Sequence, residues 1–406
     1  MGRSSSQSKI SQSKTMSEIK VNSIKGVGAS SAAITVDNAD GTCTAKISNN
    51  LSNRNLIING AMQVAQRGTS STTAGYGSVD RFQGVSGGGE EACTHSQHAL
   101  TSSDTGPWAA GFRNSFHLQN GNQTGGADAG DYAYVAYTVE AQDLANSGWD
   151  YTSASSYITL SFWVKCSEAG LQYAYFYCPD GTAQGYSLSL GNLSANTWTK
   201  VTAKIPGNSN LTFNNDNGGG MYIYWGPFWG TDYTDSGNTL NTWAAYSSSS
   251  RTPEFPSAWW TTNDATFEIT GVQLEVGEHA TDFEHRSYGD ELLRCQRYYY
   301  KAVEGNGKIL CIGFVSSSTE VSGFVRFPVN MRSTPDIHQS SGSNYWRIGA
   351  GVLGGDKYIS GSWGKSGQTE QGILVYAAPD VSLTSGSAGY IDGKNAASFM
   401  AFTSEL

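Results

Sequence analysis

The chain has 406 residues, a formal net charge of −9 and only 15% charged side chains. A net-negative chain with no basic stripe excludes a nucleic-acid-binding role, and the lack of any run of about 18 apolar residues excludes a membrane-inserted helix. The 49 glycines, 22 tyrosines and 11 tryptophans instead indicate short strands joined by tight turns, in two or three domains of roughly 100–200 residues each.

Residues 1–53 read as an N-terminal arm. Met1–Lys14 is rich in Ser, Gln and Lys, lacks the apolar segment of a signal peptide, and is expected to be disordered, with Met16 a second candidate start. Ile19–Ile24, Ala33–Val36 and Thr42–Ile47 have strand-like alternation, with an Asp40-Gly41 turn before the last. Strands so few cannot bury a core, so the arm is expected to intertwine with partner chains.

Residues 54–287 are a long succession of strands. In Tyr157–Lys165, Ile158, Leu160, Phe162 and Val164 share one face and Thr159, Ser161 and Trp163 the other. Further strands are expected over Tyr132–Val139, Leu171–Cys178, Thr197–Ile205, Met221–Trp225 and Thr266–Val276. The last changes phase between Phe267/Ile269 and Val272/Leu274, which predicts a β-bulge at Gly271. Trp229–Asn263 has few strand signals, and irregular stretches of that length in compact domains are usually functional or wrapped on a partner.

Residues 288–302 form a helical connector, best developed over Glu291–Tyr298 and capped by Ser287 or Asp290. Residues 303–406 return to strands. Lys308–Ser316 pairs with Glu320–Phe327, followed by Tyr345–Val352, Tyr358–Trp363, Ile373–Ala377 and Ser398–Phe402 in a small C-terminal β-sandwich. The fold class is therefore all-β: arm, central sandwich, connector, small sandwich.

The six cysteines contain no CxxC pair, which argues against zinc and for free thiols; Cys166 and Cys178 are the one local pair to test for a bridge. His95 and His98 lack a nearby third ligand, so no metal or other cofactor is expected. His285 reads as an anchor of the connector, and Asp80-Arg81 as a buried structural ion pair. Asp80, Asp131, Glu140, Asp180, Asp232, Asp235, Glu254 and Asp264 are too scattered to nominate a hydrolytic pair. Gly87–Gly89 and Gly218–Gly220 are turns rather than phosphate loops, since no helix pattern follows.

Several separated motifs carry a resemblance. Asn55-Leu-Ile-Ile-Asn-Gly-Ala-Met-Gln-Val-Ala-Gln-Arg-Gly68 and Val79-Asp-Arg-Phe82 resemble the opening of domains common in bacteriophage tail-fibre proteins. Gln273–Gly277, Phe283–Gly289, Cys295–Tyr299 and Phe327–Pro335 resemble the exit and continuation of the same set, over roughly residues 16–335. The middle region also resembles jelly-roll carbohydrate-binding modules, through Asn55–Gly60, Leu160–Lys165 and Phe267–Leu274. Such modules often carry calcium-ligating carboxylates where this chain has Ala61-Met62 and Thr270-Gly271, so that site does not carry over.

The resemblance implies a homotrimeric tail-fibre subunit, attached to other virion tail proteins through its arm and to host-surface carbohydrate through the outer domains. It further implies synthesis in the host cytoplasm, and no catalytic role is expected. The glycan-binding candidates are Tyr173, Tyr175 and Tyr177 on one strand face, Trp225 and Trp229 with Phe228 on another strand, and Trp259-Trp260 in the long irregular stretch. Flat rings suit the C–H faces of sugars, but the same rings suit a core or a subunit interface. Trp163 and Trp198 are expected to be buried. A purely structural fibre or decoration protein, a polysaccharide depolymerase and a secreted lectin are the competing readings.

Overall fold

A computed structural model describes residues 23–25, 34–36, 43–45, 53–349 and 355–406. The chain divides into two compact units, Met1–Asn50 and Leu51–Leu406. In the first, β1 (Ser23–Ile24), β2 (Ile34–Val36) and β3 (Cys43–Ala45) form an antiparallel three-stranded sheet, with Thr35 opposite both Ser23 and Thr44. Ile24 is exposed on it. The expectation for Met1–Lys14 lies outside the described residues.

In the second unit, residues 53–287 build a sandwich of two six-stranded antiparallel sheets. Its strands are β4 (Ser70–Ser71), β5 (Phe82–Gly87), β6 (Thr94–Ala99), β7 (Asn114–Gln119), β8 (Tyr132–Glu140), β9 (Tyr157–Cys166), β10 (Gly170–Cys178), β11 (Gln184–Leu193), β12 (Thr199–Pro206), β13 (Gly219–Trp229), β14 (Trp243–Ala245) and β15 (Thr266–Val276). Two short helices, α1 (Ala141–Ala145) and α2 (Ala258–Thr261), interrupt them. One sheet runs β14-β11-β10-β13-β8-β5 and the other β12-β9-β15-β7-β6-β4, the chain passing repeatedly between them in jelly-roll fashion.

Period-2 alternation sets the core. Ile158, Leu160, Phe162 and Val164 of β9 are fully buried and face Ala133, Val135 and Tyr137 of β8, Ala174 and Phe176 of β10, and Ile223 and Trp225 of β13. The phase change in β15 is a β-bulge: its register against β9 slips between Thr270 and Gln273, and Gly271 takes φ +64°. A Cβ there would sit 2.5 Å from the Phe112 ring. The slip lets Phe267, Ile269, Val272 and Leu274 all reach the core.

The bulge also hands β15 from one partner to the next. Thr266–Ile269 pair with β7. Beyond it, Val272 N donates to Gly60 O (2.9 Å), Leu56 N to Leu274 O (2.9 Å) and Leu274 N to Asn55 Oδ1 (3.0 Å). Glu284 accepts from the backbone of Asn53 and Asn55, Arg286 donates to the carbonyls of Asn55 and Ile57, and Glu291 accepts from Asn59 N. The opening and exit motifs thus co-occur because they clamp each other.

Helix α3 (Tyr288–Gln296) starts three residues earlier than expected, capped by Ser287 Oγ, which accepts from Asp290 N. After it come β16 (Tyr299–Glu304), β17 (Ile309–Ser317), β18 (Glu320–Arg326), β19 (Asp336–Gln339), β20 (Trp346–Gly349), β21 (Lys357–Ile359), β22 (Gly364–Ser366), β23 (Gly372–Ala377), β24 (Ala388–Gly393) and β25 (Phe399–Thr403). They form a three-stranded sheet, β16-β25-β19, and a seven-stranded sheet, β21-β20-β24-β17-β18-β23-β22. The expected β17–β18 hairpin is present. The strand expected over Tyr358–Trp363 ends at Ile359, because Ser360–Trp363 turn between β21 and β22. This sandwich has its own core, centred on Trp346, Ile348, Val375, Ile391 and Phe402.

A polar joint locks the two sandwiches together. Asp80 and Arg81 are both buried but do not pair with each other, which corrects the expected ion pair. Arg81 donates to Glu405 near the C-terminus and to Thr138 O (2.7 Å), and its guanidinium stacks 3.5 Å over the Tyr298 ring. Asp80 accepts from Gln66 N (2.9 Å). Adjacent side chains cannot both point inward along a strand-like path, but Arg81 takes φ +73°, which turns both into the joint.

Candidate functional site

The alternation that fills the core also fixes what the β10–β13–β8 sheet presents on its other side. Ala174 and Phe176 point inward, so Tyr173, Tyr175 and Tyr177 point outward. In register with them, Tyr222 lies opposite Tyr177 and Tyr224 opposite Tyr175, while Tyr132 and Tyr134 of β8 continue the face. The rings are contiguous. Tyr177–Tyr222 centroids are 5.6 Å apart, Tyr222–Tyr224 6.4 Å, Tyr134–Tyr224 5.2 Å and Tyr132–Tyr134 5.7 Å.

The hydroxyls of Tyr132, Tyr134, Tyr175, Tyr177, Tyr222 and Tyr224 have no hydrogen-bond partner among the described residues, yet none is sealed from solvent. Burial of the rings pushes the Tyr134 phenol up to about 12 and those of Tyr175 and Tyr224 higher still. They therefore stay protonated at any physiological pH, each able to donate and accept. Glycines make room for the rings to lie along the sheet: a Cβ on Gly87, opposite Tyr132, would meet the Tyr132 hydroxyl at 2.6 Å, and one on Gly219, in the same strand as Tyr222, would meet the Tyr222 hydroxyl at 2.4 Å.

Residues 230–257 form one wall of this face. β14 extends the sheet by pairing with β11, and the chain then returns, bringing Tyr246 to 4.4 Å from Tyr177 and Phe255 to 5.0 Å from Tyr173. Between wall and sheet is a cavity of about 190 Å³ lined by Tyr175, Gly185, Ser187, Asn238, Thr242 and Ser250, among others. Asn238 Nδ2 donates to Ser250 O (2.8 Å), and its Oδ1 is buried without a partner. Arg251 places its guanidinium 5.1 Å from the Tyr233 ring centre and 5.5 Å from that of Trp229.

The structure separates the sequence candidates into two groups. Tyr173, Tyr175 and Tyr177 share the tyrosine face, with Tyr177 the least covered of the three. Trp225, Trp259 and Trp260 are corrected: all three are at most 1% exposed and belong to the sandwich core, where they have no ring face to offer a ligand. Trp260 stacks on Phe228 at 5.3 Å and donates from Nε1 to Gly126 O (2.9 Å).

Trp229 is four residues from Trp225 and would share its inward side in a regular strand. The register of β13 against β8 shifts between Trp225 and Phe228, and this bulge turns Trp229 outward. There it packs against Tyr134, Tyr175, Tyr224 and Phe255 as the floor of the tyrosine face, 2% exposed. Sequence reasoning missed Tyr132, Tyr134, Tyr222, Tyr224, Tyr246 and Arg251. The first four were legible as alternate positions on expected strands; the last two depend on the fold of the irregular wall.

The opposite sheet carries a second hollow of about 300 Å³, lined by Phe112, Trp163, Lys200, Phe283 and His285 among others. Trp163 and Trp198 are half-buried here, outside the sandwich, where full burial was expected. Trp198 Nε1 donates to Asp104 Oδ1 (3.0 Å), and Lys165 pairs with Glu268 (2.7 Å). His285 anchors its segment as expected, through the Ala110 carbonyl (3.0 Å) and the rings of Phe112 and Phe283. His95 is buried between Ser78 Oγ (2.7 Å) and Thr73 O (2.9 Å), whereas His98 stacks on His117. Glu140 is held by Arg297 and Tyr298 in the joint.

Cys166 and Cys178 are both buried and unbridged, as are Cys93 and Cys295; Cys311 is free and half-buried. The side chain of Cys43 lies outside the described residues. No helix among the described residues is long and apolar enough to cross a membrane.

No family model and no curated protein matches the chain. Among solved structures, the enzymatically active domain of tailspike protein 4 from bacteriophage CBA120 is similar over 55% of this chain and 21% of that one, at 12% identity and TM-score 0.29. The N-terminal cellulose-binding domain of Cellulomonas fimi β-1,4-glucanase C is similar over 53% and 99%, at 10% identity and TM-score 0.24. A family 11 carbohydrate-binding module from Clostridium thermocellum, in complex with a mixed-linked tetrasaccharide, is similar over 53% and 98%, at 11% identity and TM-score 0.23.

Proposed function

We propose that the chain is a non-enzymatic bacteriophage tail-fibre subunit that attaches to host-surface glycans through the tyrosine face of its central sandwich. One observation carries the binding reading: six phenols on one sheet face combine flat apolar rings with hydroxyls that have no hydrogen-bond partner among the described residues. Rings match the C–H faces of sugars and unpartnered hydroxyls match their OH groups. The 230–257 wall turns the face into a cleft.

The tail-fibre part rests on the ordered motifs from Asn55 to Pro335. The arm joins the subunit to other tail proteins and to its own copies, because a sheet of two- and three-residue strands cannot stand alone. Three linked copies raise weak sugar contacts through effective concentration. The test is adsorption of purified fibre to host cells, and binding to a glycan panel, with Tyr177, Tyr222 and Tyr246 each changed to Ala. Loss of both with an unchanged melting temperature is expected. Full adsorption by all three variants overturns the assignment of this face, and release of oligosaccharides from host polymer overturns the non-enzymatic part.

A further inference from the structure

The tyrosine face contains one full charge that the fold does not use. Arg251 sits in the wall between the rings of Trp229 and Tyr233. Its backbone is fixed: N donates to Tyr233 O (2.9 Å), its carbonyl accepts from Ser187 Oγ, and the neighbouring Thr252 bridges Thr234. Its guanidinium, by contrast, contacts these two rings and has no hydrogen-bond or ionic partner among the described residues. Nε is buried and makes no hydrogen bond, and no carboxylate among the described residues pairs with the guanidinium. The two terminal nitrogens likewise have no hydrogen-bond partner among the described residues, and neither is sealed from solvent.

Elsewhere the fold gives its enclosed arginines a carboxylate partner. Arg81 has Glu405, Arg286 has Glu284 and Glu291, and Arg347 has Asp356 and Asp392. Asp128 and Glu254 line a separate hollow beside Trp229, and neither they nor Asp232 and Asp235 on the same wall forms an ion pair with Arg251 among the described residues. A guanidinium held in position by flanking aromatic rings, with its planar fork unfilled, fits a planar carboxylate in bidentate geometry. Trp229, 5.5 Å from the guanidinium, also packs against the rings of Tyr134, Tyr175 and Tyr224 at 5.9, 6.1 and 6.2 Å, which places these phenols and the fork around one ring.

Resting on the reading of this face as a glycan site, we infer that it selects a carboxylated glycan, one with uronic or sialic acid residues, whose carboxylate is bound by Arg251. The aromatic rings and hydroxyls hold the sugar; the arginine distinguishes an acidic residue from its neutral counterpart.

The test applies the full chain to a microarray of neutral, carboxylated and sulfated glycans, then titrates the best binders and their carboxyl-reduced forms by calorimetry. The expected result is preference for carboxylated glycans, lost on reduction. Arg251→Gln is expected to weaken acidic binding by roughly tenfold or more and leave the reduced ligand unchanged, in line with one charge-assisted pair. Its melting temperature reports folding, and Arg251→Lys should restore only part of the affinity because an ammonium lacks the fork. Binding that prefers neutral or sulfated glycans, or an Arg251→Gln variant with unchanged acidic binding, overturns the inference and leaves the glycan reading standing. No binding to any glycan overturns both.

Discussion

The hydroxyl of Tyr175 lies over Gly185, 2.0 Å from where a Cβ on that glycine would stand. The pairing of β10 with β11 sets Gly185 opposite Tyr177, and Tyr175 leans along the strand across it. Both residues line the cleft beneath Asn238 and Ser250. Gly185→Ala is therefore expected to push the Tyr175 ring out of place, costing about 1–3 kcal/mol as overpacking does and weakening glycan binding with it. Tyr175→Phe keeps the ring and removes only the hydroxyl. It should retain the melting temperature and lose part of the affinity, and calorimetry on the two variants separates ring placement from hydroxyl contact.

The tryptophans call for a different experiment from the one their sequence suggests. Trp225, Trp259 and Trp260 are core residues, so each Trp→Ala change should cost about 3–5 kcal/mol. Lost adsorption in such variants would report unfolding, not a lost contact. Chemical denaturation is expected to show the full loss for Trp225→Ala and a shift within about 0.5 kcal/mol for Tyr177→Ala, which is half-exposed to the cleft.

Much of this arrangement was legible in the sequence. The alternation of β9, the bulge at Gly271 and the outward trio Tyr173, Tyr175 and Tyr177 follow from side-chain parity alone. Parity failed at Trp229, because the slip between Trp225 and Phe228 leaves no marker as plain as the glycine of β15; a Gly-Pro pair stands there, and a strand was not expected to continue past it. The partners of Asp80 and Arg81 were illegible for another reason. Glu405 is more than 320 residues away in the chain, and only the docking of the C-terminal sandwich brings it near. Composition gave no hint that Trp259 and Trp260 plug the core from a helix of four residues.

That docking gives the third prediction. Glu405 pairs with Arg81 and with Arg67 (3.2 Å), and all three side chains are at most 8% exposed. Glu405→Gln leaves two enclosed cations with one fewer counter-charge. The expected cost is about 3–5 kcal/mol, the size seen when one member of a buried ion pair is removed. Urea denaturation of the variant checks it; an unchanged midpoint would show that the joint contributes nothing to stability.

Acid should act through Glu268. Burial alone would raise its carboxyl, but the nearby His117 ring (3.6 Å), the Lys165 ammonium (2.7 Å) and a hydrogen bond from Ser115 Oγ (2.7 Å) outweigh that and hold it down to about 2, against an ordinary 4.5. A carboxylate with a depressed folded-state value stabilises above its unfolded value and loses that contribution as pH falls through the folded one. The window is thus between about pH 4.5 and 2, and the loss is on the order of 2–3 kcal/mol. Glu268→Gln is expected to be less stable at neutral pH and to show a flatter stability profile across that window, measured by denaturation at stepped pH.

The C-terminal sandwich supplies the test of oligomeric state. Parity along β17, β18 and β23 sends Val315, Val321, Val325 and Val375 into the core and leaves Ile312, Phe314, Phe324 and Tyr376 on the outer side of the same sheet. Ile312 is 73% exposed and Phe324 56%, and the strands that carry them are adjacent. Exposed apolar side chains grouped in this way suit a protein–protein contact; in the proposed homotrimer the partner would be the same face or its neighbour on a second copy. Ile312→Asp and Phe324→Asp do not touch the core, so each should fold with a near-normal melting transition while shifting sedimentation from trimer towards monomer. Trimers that persist with both changes combined would assign self-association to the N-terminal arm alone, and monomers in the unaltered protein would remove the trimer from the proposed function.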